Sequence, residues 1–127
     1  MIRLKRVYDQ PASVDGQRFL VERLWPRGLS KDRLQLTAWL KDVAPSTALR
    51  QWFGHDPDKW HEFRTRYFRE LDRHPDAWRP LLEAAQRGTV TLVFSSRDTS
   101  HNNAVALKDY LETQATGTTR GRRRSPS

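Results

Sequence analysis

The chain has 127 residues, no cysteine and a formal net charge of +8, with a pI near 10.6. This length fits one domain, and the absence of cysteine excludes disulfides, thiolate metal sites and thiol nucleophiles. No apolar run approaches the ~20 residues that span a bilayer, and the charged start lacks the apolar stretch of a signal peptide. We therefore expect a cytoplasmic protein with no membrane partner.

The positive charge is unevenly distributed. Residues 113–127 contain four arginines and no acid, so the rest of the chain carries only +4 of the +8. The segment consists mainly of Thr, Gly, Arg, Ser and Pro, a composition that cannot bury a core. We predict one domain over residues 1–112 and a disordered basic tail over residues 113–127.

Three segments have the patterns of β-strands. Residues 2–8 alternate apolar and charged side chains, which is typical of a half-buried strand. Residues 18–24 have an apolar centre flanked by charged residues, which predicts a second and more buried strand. Residues 89–94 form a β-branched and apolar run, which predicts a strand buried on both faces.

Helix signals occupy most of the remaining chain. Ser30 is a candidate N-cap for a helix through Leu40, and a second helix is predicted from Ser46 to Gly54. The others are a helix from Asp56 to His74, a shorter one carrying Trp78 with Pro80 in or before its first turn, and a last one from about His101 to Glu112.

The order of these elements predicts the fold class. A strand followed by helices, a strand and a helix favours a mostly parallel sheet. We predict an α/β fold with three to four strands covered by about five helices. A thin sheet of three strands also suggests a fourth short strand or a homodimer interface at one edge.

A polar cluster follows the last strand, where ligands bind in open α/β sheets. We predict ligand-binding roles for five of its residues and acid–base roles for two. The ligand-binding candidates are Ser95, Ser96, Arg97, Asn102 and Asn103, and the catalytic candidates are Asp98 and His101. The open alternative is that Asp98, Thr99 or Ser100 only caps the helix.

A second polar cluster lies at the end of the second predicted strand. If this strand is parallel to the last one, Arg23 and Arg27 face the first cluster and can bind a carboxylate or phosphate. In the alternative, Arg23 forms a salt bridge with Glu22 or Asp98, and Trp25 packs in the core.

We expect no metal and no cofactor. His55 has only His61 as a nearby candidate ligand, and no phosphate-binding glycine loop or zinc motif is present.

A basic helix face provides a different function class. Together with the arginine tail, it is compatible with weak nonspecific binding of nucleic acid through phosphates. The face consists of Arg64, Arg66, Arg69 and Arg73. Three acids, Glu62, Glu70 and Asp72, are interleaved with it and favour an ordinary solvated surface.

Several segments together resemble a known family. They are Arg6–Asp9, Leu20–Gly28, Trp39–Lys41, Ala44–Ser46, Leu49–Arg50, Trp52–Pro57, Val90–Leu92, and His101 and Asn102 with Ala104 and Leu107. The chain resembles, over residues 2–112, the short YeaO-like family of uncharacterised bacterial proteins, a branch of a larger group of unknown function. The resemblance implies an α/β fold and no established activity.

The chain departs from this family at two places. Glu22 stands where the family usually has Asp, and Ser95-Ser96 replaces a small or aromatic pair. Longer relatives have cysteines near Ser95 and His101, so their thiol chemistry does not carry over.

The residues and the resemblance together lead to three functional hypotheses. The first is the binding of a small anionic ligand at the strand ends, with acid–base catalysis left open. The second is a nucleic-acid-binding accessory protein, and the third is a structural or interaction module. Whether the chain is an enzyme stays open.

Overall fold

The computed structural model describes the backbone of residues 1–124 and the side chains of residues 1–115. The strands are β1 (Ile2–Arg6), β2 (Gln17–Leu20), β3 (Ala38–Trp39) and β4 (Val90–Phe94). The helices are α1 (Lys31–Leu34), α2 (Thr47–Phe53), α3 (Trp60–Asp72), α4 (Pro75–Arg87) and α5 (Asn103–Arg124). Short 3-10 turns cover Ser13–Asp15, Lys41–Val43 and Pro57–Lys59.

The four strands assigned in the described residues form one parallel sheet in the order β1-β4-β2-β3. Leu4 and Phe19 both pair with Leu92, so β4 lies at the centre. All five residues of β4 are buried, as the continuous apolar run predicted. The predicted α/β class and the parallel sheet of three to four strands are therefore confirmed.

The two faces of the sheet are covered differently. Val90, Leu92 and Phe94 point into the main core, which also takes apolar side chains from α2, α3, α4 and α5. Val93 and Leu20 point to the other face, where a much smaller core includes Leu34 of α1. The helices therefore lie mainly on one face, and the loops after β1 and β2 cover the other.

The predicted helix from Ser30 to Leu40 is wrong in length. Ser30 does cap it, since its side chain accepts a hydrogen bond from the Arg33 N–H. The helix ends after Leu34 because Gln35 adopts a left-handed φ of 49°. The chain then becomes extended and pairs with β2 as β3, which is the short edge strand considered above.

Other boundaries also differ from the predictions. Strand β1 ends at Arg6 rather than at residue 8. Strand β2 ends at Leu20 rather than at residue 24. Helix α4 already begins at Pro75, so Pro80 lies inside the helix rather than in its first turn. Helix α5 extends to Arg124 instead of ending near Glu112.

The basic tail was predicted over residues 113–127. Residues 125–127 and the side chains from Thr116 onwards lie outside the described residues. The tail and the domain boundary at residue 112 remain predictions. None of the helices in the described part of the chain is long and apolar enough to cross a membrane.

A buried ion cluster lies on the face of the sheet opposite α5. Asp15 accepts a hydrogen bond from Arg18 at 2.7 Å and from Lys5 at 3.0 Å. Thr91 of β4 donates to the Asp15 carbonyl at 2.7 Å. The next residue, Gly16, has a φ of 65°, and a Cβ there would lie 2.2 Å from the Thr89 carbonyl oxygen. Only glycine fits this close approach.

Candidate ligand-binding cleft

A cleft of about 540 Å³ lies at the carboxyl edge of the sheet. Tyr8 follows β1, Ser95 follows β4 and Glu22 follows β2, and all three line it. Arg50 and Phe53 of α2 line it from the helical side. This edge is where parallel α/β sheets bind their ligands.

One hydrogen-bonded pair joins the ends of β4 and β2. The Ser95 hydroxyl donates to one Glu22 carboxylate oxygen at 2.7 Å, and the Ser95 N–H donates to the other at 3.1 Å. Both carboxylate oxygens therefore have a partner. The pair fixes the two strand ends relative to each other.

A second set of contacts fixes the end of β1 to the same edge. The Arg6 Nε donates to the Ser96 carbonyl at 3.0 Å, and another guanidinium nitrogen donates to the Ser95 carbonyl at 3.4 Å. The same guanidinium lies 5.1 Å from the centre of the Tyr8 ring. Arg6 thus positions an aromatic side chain at the rim of the cleft.

The segment after β2 is fixed from both sides. Arg23 donates to the carbonyls of Pro45 at 2.8 Å and Ala44 at 3.3 Å, which tie it to the start of α2. Asn103 at the start of α5 donates to the Val21 carbonyl at 2.7 Å. The Arg23 alternative of a salt bridge to Glu22 or Asp98 does not occur. Its guanidinium is engaged by backbone carbonyls instead.

Two further arginine side chains line the cleft without a partner in the described residues. Neither the Arg27 nor the Arg50 side chain forms a hydrogen bond or an ion pair there, and the Arg50 Nε is buried without an acceptor. Glu22 is the only acid that lines the cleft in this part of the chain, and Ser95 occupies it. The cleft therefore has a surplus of positive charge.

The cleft also has apolar walls. Phe53 and Phe63 stack with their ring centres 4.3 Å apart and line it as buried residues. Leu24 and Tyr8 line it too, although 66% and 49% of their surface is exposed. Trp25, a further lining residue, packs edge-on against Trp39.

The cleft brings together six of the nine predicted site residues. They are Arg23, Arg27, Ser95, Ser96, Asn102 and Asn103. The prediction that both clusters face one another is supported by the parallel pairing of β2 with β4. Three predicted residues, Arg97, Asp98 and His101, do not line the cleft.

Asp98 and His101 form a local pair. The His101 Nδ1 lies 3.0 Å from a carboxylate oxygen of Asp98, and the His101 ring packs edge-on against Trp60. Asp98 also accepts hydrogen bonds from the backbone N–H groups of Ser100 and His101. These backbone bonds, with that of Ser100 the largest, lower the pKa of Asp98.

Asn102 caps helix α5. Its side chain accepts a hydrogen bond from the Val105 N–H at 3.0 Å and donates to the Asp98 carbonyl at 2.9 Å. The residue is only 2% exposed, so most of its polar capacity is used within the protein. This is the capping geometry that the sequence left as an alternative for the segment, although a different residue provides the cap.

Sequence reasoning missed Arg50, His55, Phe53 and Tyr8 as lining residues. The sequence places Arg50 and Phe53 inside a predicted helix and considers His55 only as a metal ligand. In the structure His55 follows the capping Gly54 with a left-handed φ of 58°, but no local signal indicates that its side chain lines the cleft. Nothing local indicates that Arg50 lacks a partner.

The basic face of α3 is partly neutralised. Arg64 pairs with Asp109 at 3.2 Å and Arg66 pairs with Glu62 at 2.9 Å. Among the described residues, no group of three or more His, Asp or Glu side chains lies close enough to hold a metal ion.

The α/β fold, the fixed carboxyl edge and its cleft can now be set beside known proteins. The whole chain, residues 1–127, matches the family described as the inactive DUF488-N3 subclade, and the chain belongs to that family. This agrees with the resemblance to the YeaO-like proteins stated above.

Individual relatives match with similar coverage. The chain is 41% identical over 110 residues to the uncharacterized protein YeaO of Escherichia coli K12, covering 87% of this chain and 96% of the relative. It is 40% identical over 110 residues to the uncharacterized protein Rv3073c of Mycobacterium tuberculosis H37Rv, covering 87% and 92%. No solved structure matches the chain at a significant level.

Proposed function

We propose that the chain is a binding protein for a small anion bearing a phosphate or carboxylate, which enters the cleft at the carboxyl edge of the sheet. The observation that carries the proposal is that Arg27 and Arg50 line the cleft without a partner among the described residues. A guanidinium stays charged at any physiological pH, so its natural partner is an anion that it can bind through two hydrogen bonds.

The rigidity of the cleft supports the same proposal. Ser95 holds both oxygens of Glu22, and three arginines line the cleft with this single carboxylate among the described residues. Arg23 is fixed by two backbone carbonyls and cannot swing away. A site whose charges are already positioned loses less conformational entropy when it binds a ligand.

The proposal does not include acid–base catalysis. Asp98 and His101 are close to each other, but neither lines the cleft. The word "inactive" in the description of the family agrees with binding without a reaction.

The other hypotheses stay predictions. Two arginines of the basic face of α3, Arg64 and Arg66, already pair with acids, which weakens this surface as a nucleic-acid site. A role for the arginine tail, a homodimer and a cytoplasmic location have no further support from the described residues.

The test is an amide NMR titration of the full chain with inorganic phosphate and, separately, with acetate. We expect saturable shifts at Ser95, Ser96 and Asn103. Replacing Arg50 by Gln should weaken the binding of phosphate about tenfold, because a hydrogen bond to a charged group is lost. The matched control is Arg69→Gln, at an exposed arginine of α3 outside the cleft, which should leave it within twofold.

Three results would contradict the proposal. One is the absence of saturable shifts at the cleft with both anions. The others are an equal loss of binding in Arg50→Gln and Arg69→Gln and shifts confined to residues 120–124, since either would mean nonspecific attraction to positive charge. Thermal unfolding of each variant checks that it is folded.

A further inference from the structure

Two apolar side chains at the rim of the cleft remain exposed. The large exposed apolar residues of the described chain are Met1, Tyr8, Val14 and Leu24, and two of these, Tyr8 and Leu24, line the same cleft. Covering such a side chain with an apolar group removes its surface from water and is favourable. A ligand with an apolar part therefore binds here more favourably than a bare ion, because it covers both side chains.

The apolar rim is held in place. The Arg6 guanidinium lies on the Tyr8 ring, and Arg6 itself donates to the carbonyls of Ser95 and Ser96. The Trp25 indole N–H donates to the Leu29 carbonyl at 2.7 Å, which fixes this neighbouring wall of the cleft. Because these side chains are already positioned, they lose little conformational entropy when a flat group packs on them.

The volume of the cleft also favours an organic ligand over a bare ion. Its volume of about 540 Å³ lies within the range of roughly 300–1,000 Å³ that is usual for sites of small organic ligands. An inorganic phosphate or an acetate would fill only a small part of it. The cationic part, at Arg27 and Arg50, and the apolar part, at Tyr8 and Leu24, belong to one cleft.

We infer that the ligand of this cleft is a small organic anion that carries a flat apolar ring beside its phosphate or carboxylate. The inference rests on the proposed function and names its ligand class. The anionic group contacts Arg27 and Arg50, and the ring covers the exposed surfaces of Tyr8 and Leu24.

The experiment compares two pairs of probes by the same NMR titration of the full chain. Phenyl phosphate, in which a phenyl group replaces a proton, is compared with inorganic phosphate, and benzoate, in which a phenyl group replaces the methyl group, is compared with acetate. We expect the ring to tighten binding about tenfold in at least one pair. The pair that binds more tightly identifies phosphate or carboxylate as the anionic group.

Variants separate the two parts of the cleft. Tyr8→Ala and Leu24→Ala should each reduce the advantage of phenyl phosphate over inorganic phosphate at least threefold. Val14→Ala is the matched control, because Val14 is an exposed apolar residue that does not line the cleft, and it should leave this advantage unchanged.

The outcomes distinguish this inference from the proposed function. Saturable binding at the cleft with no gain from the ring in either pair would overturn the inference and leave the proposed function standing. Equal effects of Leu24→Ala and Val14→Ala would also overturn the inference. Binding of none of the four probes at the cleft would overturn both.

Discussion

Arginine has two different uses in this small protein, on the two sides of its sheet. Arg18 is buried beneath the short helix α1, where its guanidinium bonds to Asp15 at 2.7 Å and to the Leu34 carbonyl at 3.0 Å. Arg50 lies at the carboxyl edge of the sheet and has no partner in the described residues. The residue type is the same, and the difference lies in the acceptors that the fold brings to each.

This difference teaches how to separate structural charges from functional ones. A buried charge must be paired, because an isolated ion in the interior is very costly. Asp15 and Arg18 satisfy this rule as an ion pair, with side chains that are 2% and 4% exposed, and in this pair only the Arg18 Nη2 lacks a hydrogen-bond partner in the described residues. A cation beside an open cleft can remain unpaired, because solvent or a ligand can reach the side chain. The Asp15 cluster therefore contributes to stability, whereas the cleft arginines belong to the proposed binding site.

The largest expected effect is on the buried side of this comparison. Replacing Asp15 by Ala removes the partner of Arg18 and Lys5 and leaves a charge buried without a counterion. We expect the free energy of unfolding to fall by about 3–5 kcal/mol. Urea unfolding measures it, with Arg50→Gln as the comparison, expected to change stability by no more than about 0.5 kcal/mol. Similar losses of unfolding free energy in both variants would contradict the distinction between the Asp15 cluster and the cleft arginines.

The acid sensitivity of the protein should come partly from the same cluster. Burial by itself raises the pKa of Asp15, but hydrogen bonds from the Ala12 N–H, Lys5 and Arg18 outweigh it, so the net pKa lies below its ordinary value of 3.8. A lowered carboxyl pKa stabilises the folded state above the unfolded pKa, and this contribution is lost as the pH falls through the folded one.

We therefore expect Asp15→Asn to make the decrease in unfolding free energy below about pH 4 shallower than in the wild type. Urea unfolding at a series of pH values from neutral to acid measures the decrease. Some decrease should persist, because the pKa values of Asp98 and Glu62 are also lowered. An identical decrease in the variant and the wild type would show that Asp15 does not contribute.

The smallest expected effect is at the cleft. Ser95→Ala removes the hydroxyl bond to Glu22 and leaves the backbone bond at 3.1 Å, so we expect a loss of about 1–2 kcal/mol in unfolding free energy. Ser100→Ala is the control, because the Ser100 side chain is exposed and its N–H, which bonds to Asp98, is kept. A loss at Ser95 no greater than at Ser100 would show that the Glu22 contact does not hold the strand ends together.

Local sequence signals were enough for much of the fold. The apolar run at Val90–Phe94 predicts a buried strand, because only a central position in a covered sheet hides every side chain. Ser46 and Gly54 bound α2 as capping chemistry predicts, with Ser46 accepting from the Leu49 N–H at 3.1 Å. Strand β3 was mistaken for helix, because its two residues pair only after Gln35 turns the chain.

The sequence likewise predicted one part of the candidate site and not the other. Polar residues after two apolar strands were enough to place Arg23, Arg27 and Ser95 at one edge, since parallel strands end on the same side. The sequence did not predict that Asp98 and His101 lie outside the cleft. Both residues lie within five residues of Ser96 in the sequence, and only the path of the chain into α5 takes them elsewhere.

The sequence by itself determined the fold class, the central strand, the helix caps and the polar edge of the sheet, because these depend on side-chain periodicity and on neighbours within a few residues. The tertiary structure alone decided which arginines have partners. The acceptors of Arg23 come from the turn before α2, the partner of Arg64 comes from α5, and the side chains of Arg27 and Arg50 receive none in the described chain. The partners of Arg23 and Arg64 are distant in sequence, so packing decides them, whereas Arg18 and Arg66 pair with acids three and four residues away.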